Sequence, residues 1–343
     1  MNKEELIKYI CNKLNSGKDV EFEYQINGVP YKIKILAMDM DRGINIPSIL
    51  AIPLSSNINN QLIVESNNLE SEELEKIIEQ GGQTGIRLAQ LTNDLPSPIV
   101  VPLIPSYNDY PYFQQLSQEC FSLSSKDKNY RMDEQVVNII NKARSILQIE
   151  KGLIIKDKIF LNGYSSSGVF AQRFALLHPE IVETACIGGA SGSIPIPTEK
   201  IPYPIGIANY EELTGKKFDL ESYSKIKFRY YVGELETQNK SDSRVDDLGN
   251  PAPIHDMSYF NRSVPIEVGK QQREALGREM FCRAKKTIEI LQSLEIDVQH
   301  KIILGRSHNN RSGIGVNELG DKFINDTYKS TIVNKEKDEG LTI

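Results

Sequence analysis

The residues with the clearest chemical potential lie in KIFLNGYSSSGVFAQRFALLHPE, residues 158–180. An apolar strand pattern runs directly into Gly163-Tyr164-Ser165-Ser166-Ser167-Gly168, and a helix pattern starts at once. A tight strand-to-helix turn of this kind lifts one serine above a sheet edge as a nucleophile. It needs small residues two before and two after that serine, and a helix N-terminus beneath it. Ser165 is the candidate, with Gly163 and Ser167 at the small positions; Gly is usual where Ser167 stands, and Gly168 follows directly. A serine-rich capping turn is the competing explanation. It accounts for the helix start but not for the strand that feeds it.

A serine hydroxyl is a poor nucleophile at its own pKa, so Ser165 requires a base and a group that orients the base. Only four histidines are available: His178, His255, His300 and His308. His178 precedes Pro179 at a helix end, a capping or surface position. His300 falls inside a strand pattern, and His255 lies in a polar stretch. His308 follows the last strand pattern, IDVQHKIIL, where a base would be delivered to the serine. The acid is expected after an earlier strand, and KFRYYVGELETQ supplies Glu236; Asp242 is the substitute. The resulting order Ser, acid, His is that of a strand–elbow–helix hydrolase.

A tetrahedral oxyanion needs two donors. The backbone N–H of Ser166 is one, and the loop after QLIVES, Glu65-Ser66-Asn67-Asn68, is expected to give the other through an N–H near Asn67, with help from an Asn side-chain amide. The two asparagines also suit a plain tight turn. Asn68, Tyr107, Asn108, Tyr110 and Tyr164 are candidate substrate contacts. No metal or organic cofactor is required by this set. None of the histidines lies within four residues of another, which excludes a helical pair of zinc ligands.

These residues need a scaffold that presents strand ends along one edge. VEFEYQ and PYKIKILAM flank Asn27-Gly28, a strong hairpin signal. SILAIPL follows, and then short apolar runs alternate with helical stretches, which predicts a largely parallel sheet covered on both faces. The strands are expected at 61–66, 98–104, 158–162, 182–189, 227–233 and 296–304. Helices are expected at 70–91, 132–149, 169–178, 269–294 and 315–330. No repeat or linker divides the chain, so residues 1–343 are read as one domain. Residues 190–226 are expected to be a cap or lid insertion, 237–268 a long polar loop, and 333–343 a flexible charged tail.

Composition narrows the partners. The 343 residues carry 40 basic and 46 acidic side chains and a formal charge of −6, with no basic block. That excludes counterion-releasing contact with nucleic acid. No apolar run approaches the ~20 residues of a membrane span, so no membrane partner is expected. The start, MNKEELIKYICNKLNS, reads as an amphipathic helix and not as a secretory signal, which points to the cytoplasm. Cys11, Cys120, Cys186 and Cys282 form no CxxC pair and are expected to be reduced and structural. A homo-oligomer is left open.

Taken together, these residues resemble the α/β-hydrolase superfamily over roughly residues 20–330. LIVESNN, VVPLIPSYND, GYSSSGVFAQRFALLHPE, YPIGIANYEELTGKKFD and VGELETQ are similar to a group of largely uncharacterised bacterial α/β hydrolases. In that group an apolar strand ends in an Asn-Asn loop, the elbow resembles G-x-S-x-S-G, and the segment before the acid resembles YPxGxAxxxxLTGxxFD. The resemblance implies that Ser165 is the nucleophile, that Ser at position 167 is normal for the group, and that Glu236 stands where Asp is more common. The expected activity is hydrolysis of acyl esters on a small-molecule substrate. An amidase or peptidase with the same triad, and a non-catalytic ligand-binding protein on the same fold, are the alternatives.

Overall fold

Asn27 and Gly28 both adopt positive φ, 47° and 81°, the backbone that a two-residue hairpin turn requires. They join β1 (Val20–Ile26) to β2 (Val29–Leu36) in antiparallel register, Ile26 opposite Val29. The computed structural model of this chain describes residues 2–68, 71–106, 115–190, 194–234, 264–277, 280–304 and 318–339. Before the hairpin, α1 (Lys3–Asn15) opens on a capping box. The Asn2 side chain accepts the Glu5 N–H, and the Glu5 carboxylate accepts the Asn2 N–H.

The remaining strands are β3 (Ser48–Pro53), β4 (Ile63–Val64), β5 (Ile99–Pro102), β6 (Ile159–Tyr164), β7 (Val182–Gly188), β8 (Lys227–Gly233) and β9 (Val298–Ile303). Among the described residues they form one sheet in the order β1-β2-β3-β5-β4-β6-β7-β8-β9. The first three strands and the β3–β5 pair run antiparallel, and every pair from β5 to β9 is parallel. This is the predicted mostly parallel sheet with an antiparallel start.

Helices cover both faces. Leu88 and Ala89 of α2 (Leu74–Leu91) join Ile10 and Leu14 of α1 and Tyr328 of the last helix in one core. Val136, Ile139 and Ala143 of α3 (Met132–Lys151) join Phe170 and Phe174 of α4 (Ser166–Leu177) in the other. All twelve residues of α4 are buried. The short helices α5 (Tyr210–Thr214) and α6 (Leu220–Ser224) lie within the expected cap segment. That segment is tightly packed: Tyr203 and Tyr223 are fully buried in the main core. Its Ile196, Ile201 and Ile205 form a separate cluster with Val264, Val268 and Leu276.

Several boundaries differ from expectation, among them these four. The strand expected at 61–66 pairs fully only at Ile63–Val64. Ile63, Glu65 and Asn67 still donate to the carbonyls of Pro98, Val100 and Pro102. Pro102 has no N–H with which to return a bond, so the ladder is one-sided at that end. The helix expected at 269–294 is two, α7 (Ile266–Leu276) and α8 (Met280–Ser293), because Gly277 takes φ 102° and ψ 163°, a conformation only glycine enters without strain. The helix after β6, α4, starts at Ser166, three residues before the expected 169, because the serines themselves form its first turn. The last helix, α9 (Glu318–Glu339), continues into the segment expected to be a charged tail.

Candidate active site

β6 ends at Tyr164 and α4 begins at Ser166, which leaves Ser165 alone to turn the chain. It does so at φ 56° and ψ −119°. A non-glycine residue held there costs on the order of 1–3 kcal/mol, and such strain clusters at functional sites. The turn is fixed from both sides: the Ser165 N–H donates to the Gly188 carbonyl at 2.9 Å, and its own carbonyl accepts the Val169 N–H at 2.9 Å. Ser165 is only partly buried, whereas Ser166 and Ser167 are buried.

The small residues around Ser165 are there for space. A Cβ on Gly163 would lie 2.2 Å from the Ser167 carbonyl oxygen, and one on Gly168 would lie 2.9 Å from the Gly188 carbonyl oxygen. Ser167 is tolerated where Gly is usual because its hydroxyl folds back onto the elbow. Oγ accepts the Tyr164 N–H at 2.9 Å and donates to the Tyr164 carbonyl at 3.0 Å. The hydroxyl thereby satisfies two buried backbone groups that a glycine would leave to other partners.

The asparagine loop differs from expectation. Asn67 is fully buried and is part of the scaffold. Its N–H donates to the Pro102 carbonyl at 3.4 Å, its Nδ2 donates to the Ile104 carbonyl at 2.9 Å, and its Oδ1 accepts the Ile104 N–H at 2.7 Å. These bonds engage the Asn67 N–H that was expected to be an oxyanion donor. Asn68 instead reaches the elbow, its Oδ1 accepting the Ser167 N–H at 3.1 Å. The Asn68 N–H donates to Gln80 Oε1 at 2.8 Å. Tyr164, expected to contact substrate, is turned inward: it is buried and stacks on Tyr231 at a centroid distance of 6.1 Å.

Several contributors were not anticipated. Gln115, buried, donates from Nε2 to Ser166 Oγ at 3.0 Å, beside the candidate oxyanion donor. Its carbonyl accepts from Arg173 at 2.7 Å, and the Leu116 carbonyl accepts from Tyr203 Oη. The chain at 115–116 is thus tied to α4 and to the cap segment. Burial lowers the Arg173 pKa to about 10, which still leaves the guanidinium charged at neutral pH. Glu65, fully buried beneath the loop, accepts from Asn162 and from Arg87 of α2. A lone arginine in the apolar run VFAQRFALL and a glutamate closing the apolar strand LIVE were the available signals for two of these.

Among the described residues, one group could offer three metal-ligating atoms within 4.8 Å: Asp133, Glu134 and His178. Arg131 already supplies the cation there, donating to Asp133 at 2.9 and 2.7 Å and to Glu134 at 2.9 Å. With Arg131 and the His178 imidazolium already paired to these carboxylates, the donor set does not suit a metal ion. His178 Nε2 lies 3.0 Å from Asp133 Oδ2, so His178 is a buried ion-pair partner and not a surface residue. Its backbone does close α4.

His300 sits in β9 opposite Tyr230, within the sheet as expected. Cys11, Cys120 and Cys186 are free and buried. Glu236, Asp242, His255, His308, Tyr107, Asn108 and Tyr110 lie outside the described residues. The elements that lead to them are described: β8 ends at Gly233 and β9 at Ile303. Tyr231 of β8 packs against Phe323 of α9, so the two segments carrying the candidate acid and base leave from neighbouring strands and one returns through a packed helix.

No protein-family profile matches the chain. No curated protein matches it either. Solved structures do. LpqC, a poly(3-hydroxybutyrate) depolymerase from Bordetella parapertussis, is 12% identical, with 94% of this chain and 92% of that chain covered and a TM-score of 0.52. Poly(aspartic acid) hydrolase-1 from Sphingomonas sp. KT-1 is 13% identical over 90% of this chain and 97% of that chain, with a TM-score of 0.49. No helix among the described residues is long and apolar enough to cross a membrane. A mixed sheet with a parallel majority, a strained serine between its sixth strand and the following helix, and whole-chain superposition on the depolymerase lead to one conclusion: this chain has the α/β-hydrolase fold.

Proposed function

We propose that the protein is a serine hydrolase that cleaves acyl esters. The observation that carries this reading is the backbone of Ser165, held at φ 56° between a buried strand and a buried helix by bonds on both of its peptide groups. In the proposed reaction Ser165 Oγ attacks the acyl carbonyl carbon and its proton passes to His308. Glu236 holds the imidazolium, with Asp242 as the substitute acid. The oxyanion is stabilised by the Ser166 N–H at the start of α4. Collapse of the tetrahedral intermediate breaks the bond to the leaving alkoxide, which takes the proton from His308. Water then gives a proton to His308 and attacks the acyl-enzyme, releasing the acid and restoring Ser165. Tyr107, Asn108 and Tyr110, with the cap residues around 194–226, are the proposed pocket lining.

A fluorophosphonate probe on the folded protein tests the reading. Labelling is expected on Ser165 and is expected to vanish in S165A and to slow strongly in H308A, together with hydrolysis of short p-nitrophenyl esters. Labelling of another residue, or full activity in S165A, would overturn it. Faster turnover of an anilide than of its matched ester would move the assignment to an amidase. A folded protein that no serine probe labels would move it to a binding protein.

A further inference from the structure

We propose that the side-chain amide of Asn68 is the second oxyanion donor of this site, a role that rests on Ser165 being the nucleophile. An oxyanion between two donors needs both within about 2.7–3.1 Å of where the charge develops. The backbone before Asn68 is committed elsewhere. The Asn67 N–H is bonded to Pro102, and both ends of the Asn67 amide are bonded to Ile104. The Asn68 N–H is bonded to Gln80, whose own amide is turned by a bond from Nε2 to Thr84 Oγ1 at 3.2 Å.

The Asn68 side chain is different. Its partner on α4 is the Ser167 N–H, which can only donate, so the carbonyl end must face the helix and the NH2 end is fixed in the other direction. No acceptor for Nδ2 is present among the described residues, and Asn68 is only partly buried. Ser167 follows Ser166, so their N–H groups lie side by side in the first turn, where helix N–H groups have no partner within the helix. The amide is thereby moored one peptide group away from the Ser166 N–H, within the positive end of the α4 dipole. Held at its carbonyl and at its backbone, it meets the developing charge with little reorganisation, which is what makes such donors effective.

Two substitutions separate this role from helix capping. N68D keeps an acceptor for the Ser167 N–H at a helix N-terminus but carries no donor. N68A removes both functions without adding charge. Both are expected to lower kcat on p-nitrophenyl acetate by about 10²–10³-fold with KM nearly unchanged. Both are also expected to weaken a trifluoromethyl ketone, which forms the tetrahedral adduct, by a similar factor. N68D is expected to melt at or above the wild-type temperature, and N68A below it.

Wild-type kcat in N68A, or a kcat loss in both variants with unchanged trifluoromethyl ketone affinity, would overturn the assignment. Fluorophosphonate labelling of Ser165 in the wild type keeps the two questions apart. If labelling occurs and N68A is unaffected, only the Asn68 role fails; if Ser165 is not labelled, the nucleophile reading fails first.

Discussion

Burial pulls the His178 imidazole towards neutrality, but hydrogen bonds to Asp133 and Glu180 outweigh it and push the pKa up to about 9. The unfolded value is ~6.5. A base whose folded pKa is raised contributes stability that is complete below the unfolded pKa. That stability is lost as pH rises through the folded pKa, here between about 6.5 and about 9. The rise is worth roughly 3 kcal/mol as an upper figure. Asp133 is held well below the usual carboxylate range because bonds from His178 and Arg131 overcome its burial, and burial lowers the His300 pKa, so His300 stays neutral above pH 7.

The perturbations are H178Q and D133N, read by urea unfolding at pH 6, 7.5 and 9.5. The wild-type advantage over H178Q should shrink by roughly 3 kcal/mol across that range, since the difference cancels the contributions of His255 and His308. D133N should be ~3–5 kcal/mol less stable at pH 6, because one-sided removal leaves half-buried Arg131 and buried His178 facing each other, and its stability should change little from pH 7.5 to 9.5. Parallel pH profiles for wild type and H178Q, or a His178 resonance that titrates near 6.5, would refute the reasoning.

Other expectations follow from packing at the elbow and under the loop. G163A places a methyl 2.2 Å from the Ser167 carbonyl, and should lower stability by about 1–3 kcal/mol and abolish fluorophosphonate labelling of Ser165. S167A removes the hydroxyl that satisfies both backbone groups of Tyr164, and should cost about 1–3 kcal/mol in chemical denaturation. S167G should cost no less. R87M takes the guanidinium from buried Glu65 and should destabilise by ~3–5 kcal/mol. In the double variant E65Q/R87M the loss should be smaller than the sum of the single losses, and an additive result would mean the pair is uncoupled.

The parallel core was legible because strands buried on both faces read as short, mainly apolar runs: KFRYYVG is a strand at 227–233 as expected, and the strand expected at 158–162 runs over Ile159–Tyr164, two residues further into the turn. The elbow was legible because its requirement is local, a matter of residue size within six positions. Asn67 and Asn68 could not be told apart in sequence, since their roles depend on which side of the loop faces Ile104 and which faces Ser167. His178 was read from its neighbour Pro179. Its environment is set by Asp133, 45 residues away, a distance at which periodicity carries no information. Gln115 was missed for the same reason: an isolated glutamine acquires meaning only when the fold brings it to Ser166. Pro102 could have been read, because a proline inside an apolar run marks a ladder that ends early.

The Asn67 carboxamide bonds to both the N–H and the C=O of Ile104, as the peptide group of a neighbouring strand would. Beyond Pro102, where β5 offers no donor to its neighbour, a side chain thus substitutes for the missing rung. Opening of the loop that reaches Ser167 through Asn68 therefore has to break this amide pair as well as the Asn67 N–H bond to Pro102. Amide exchange at Ile104 should report it directly: protection there should fall in N67A while that of Val100 and Val101 stays at the wild-type level.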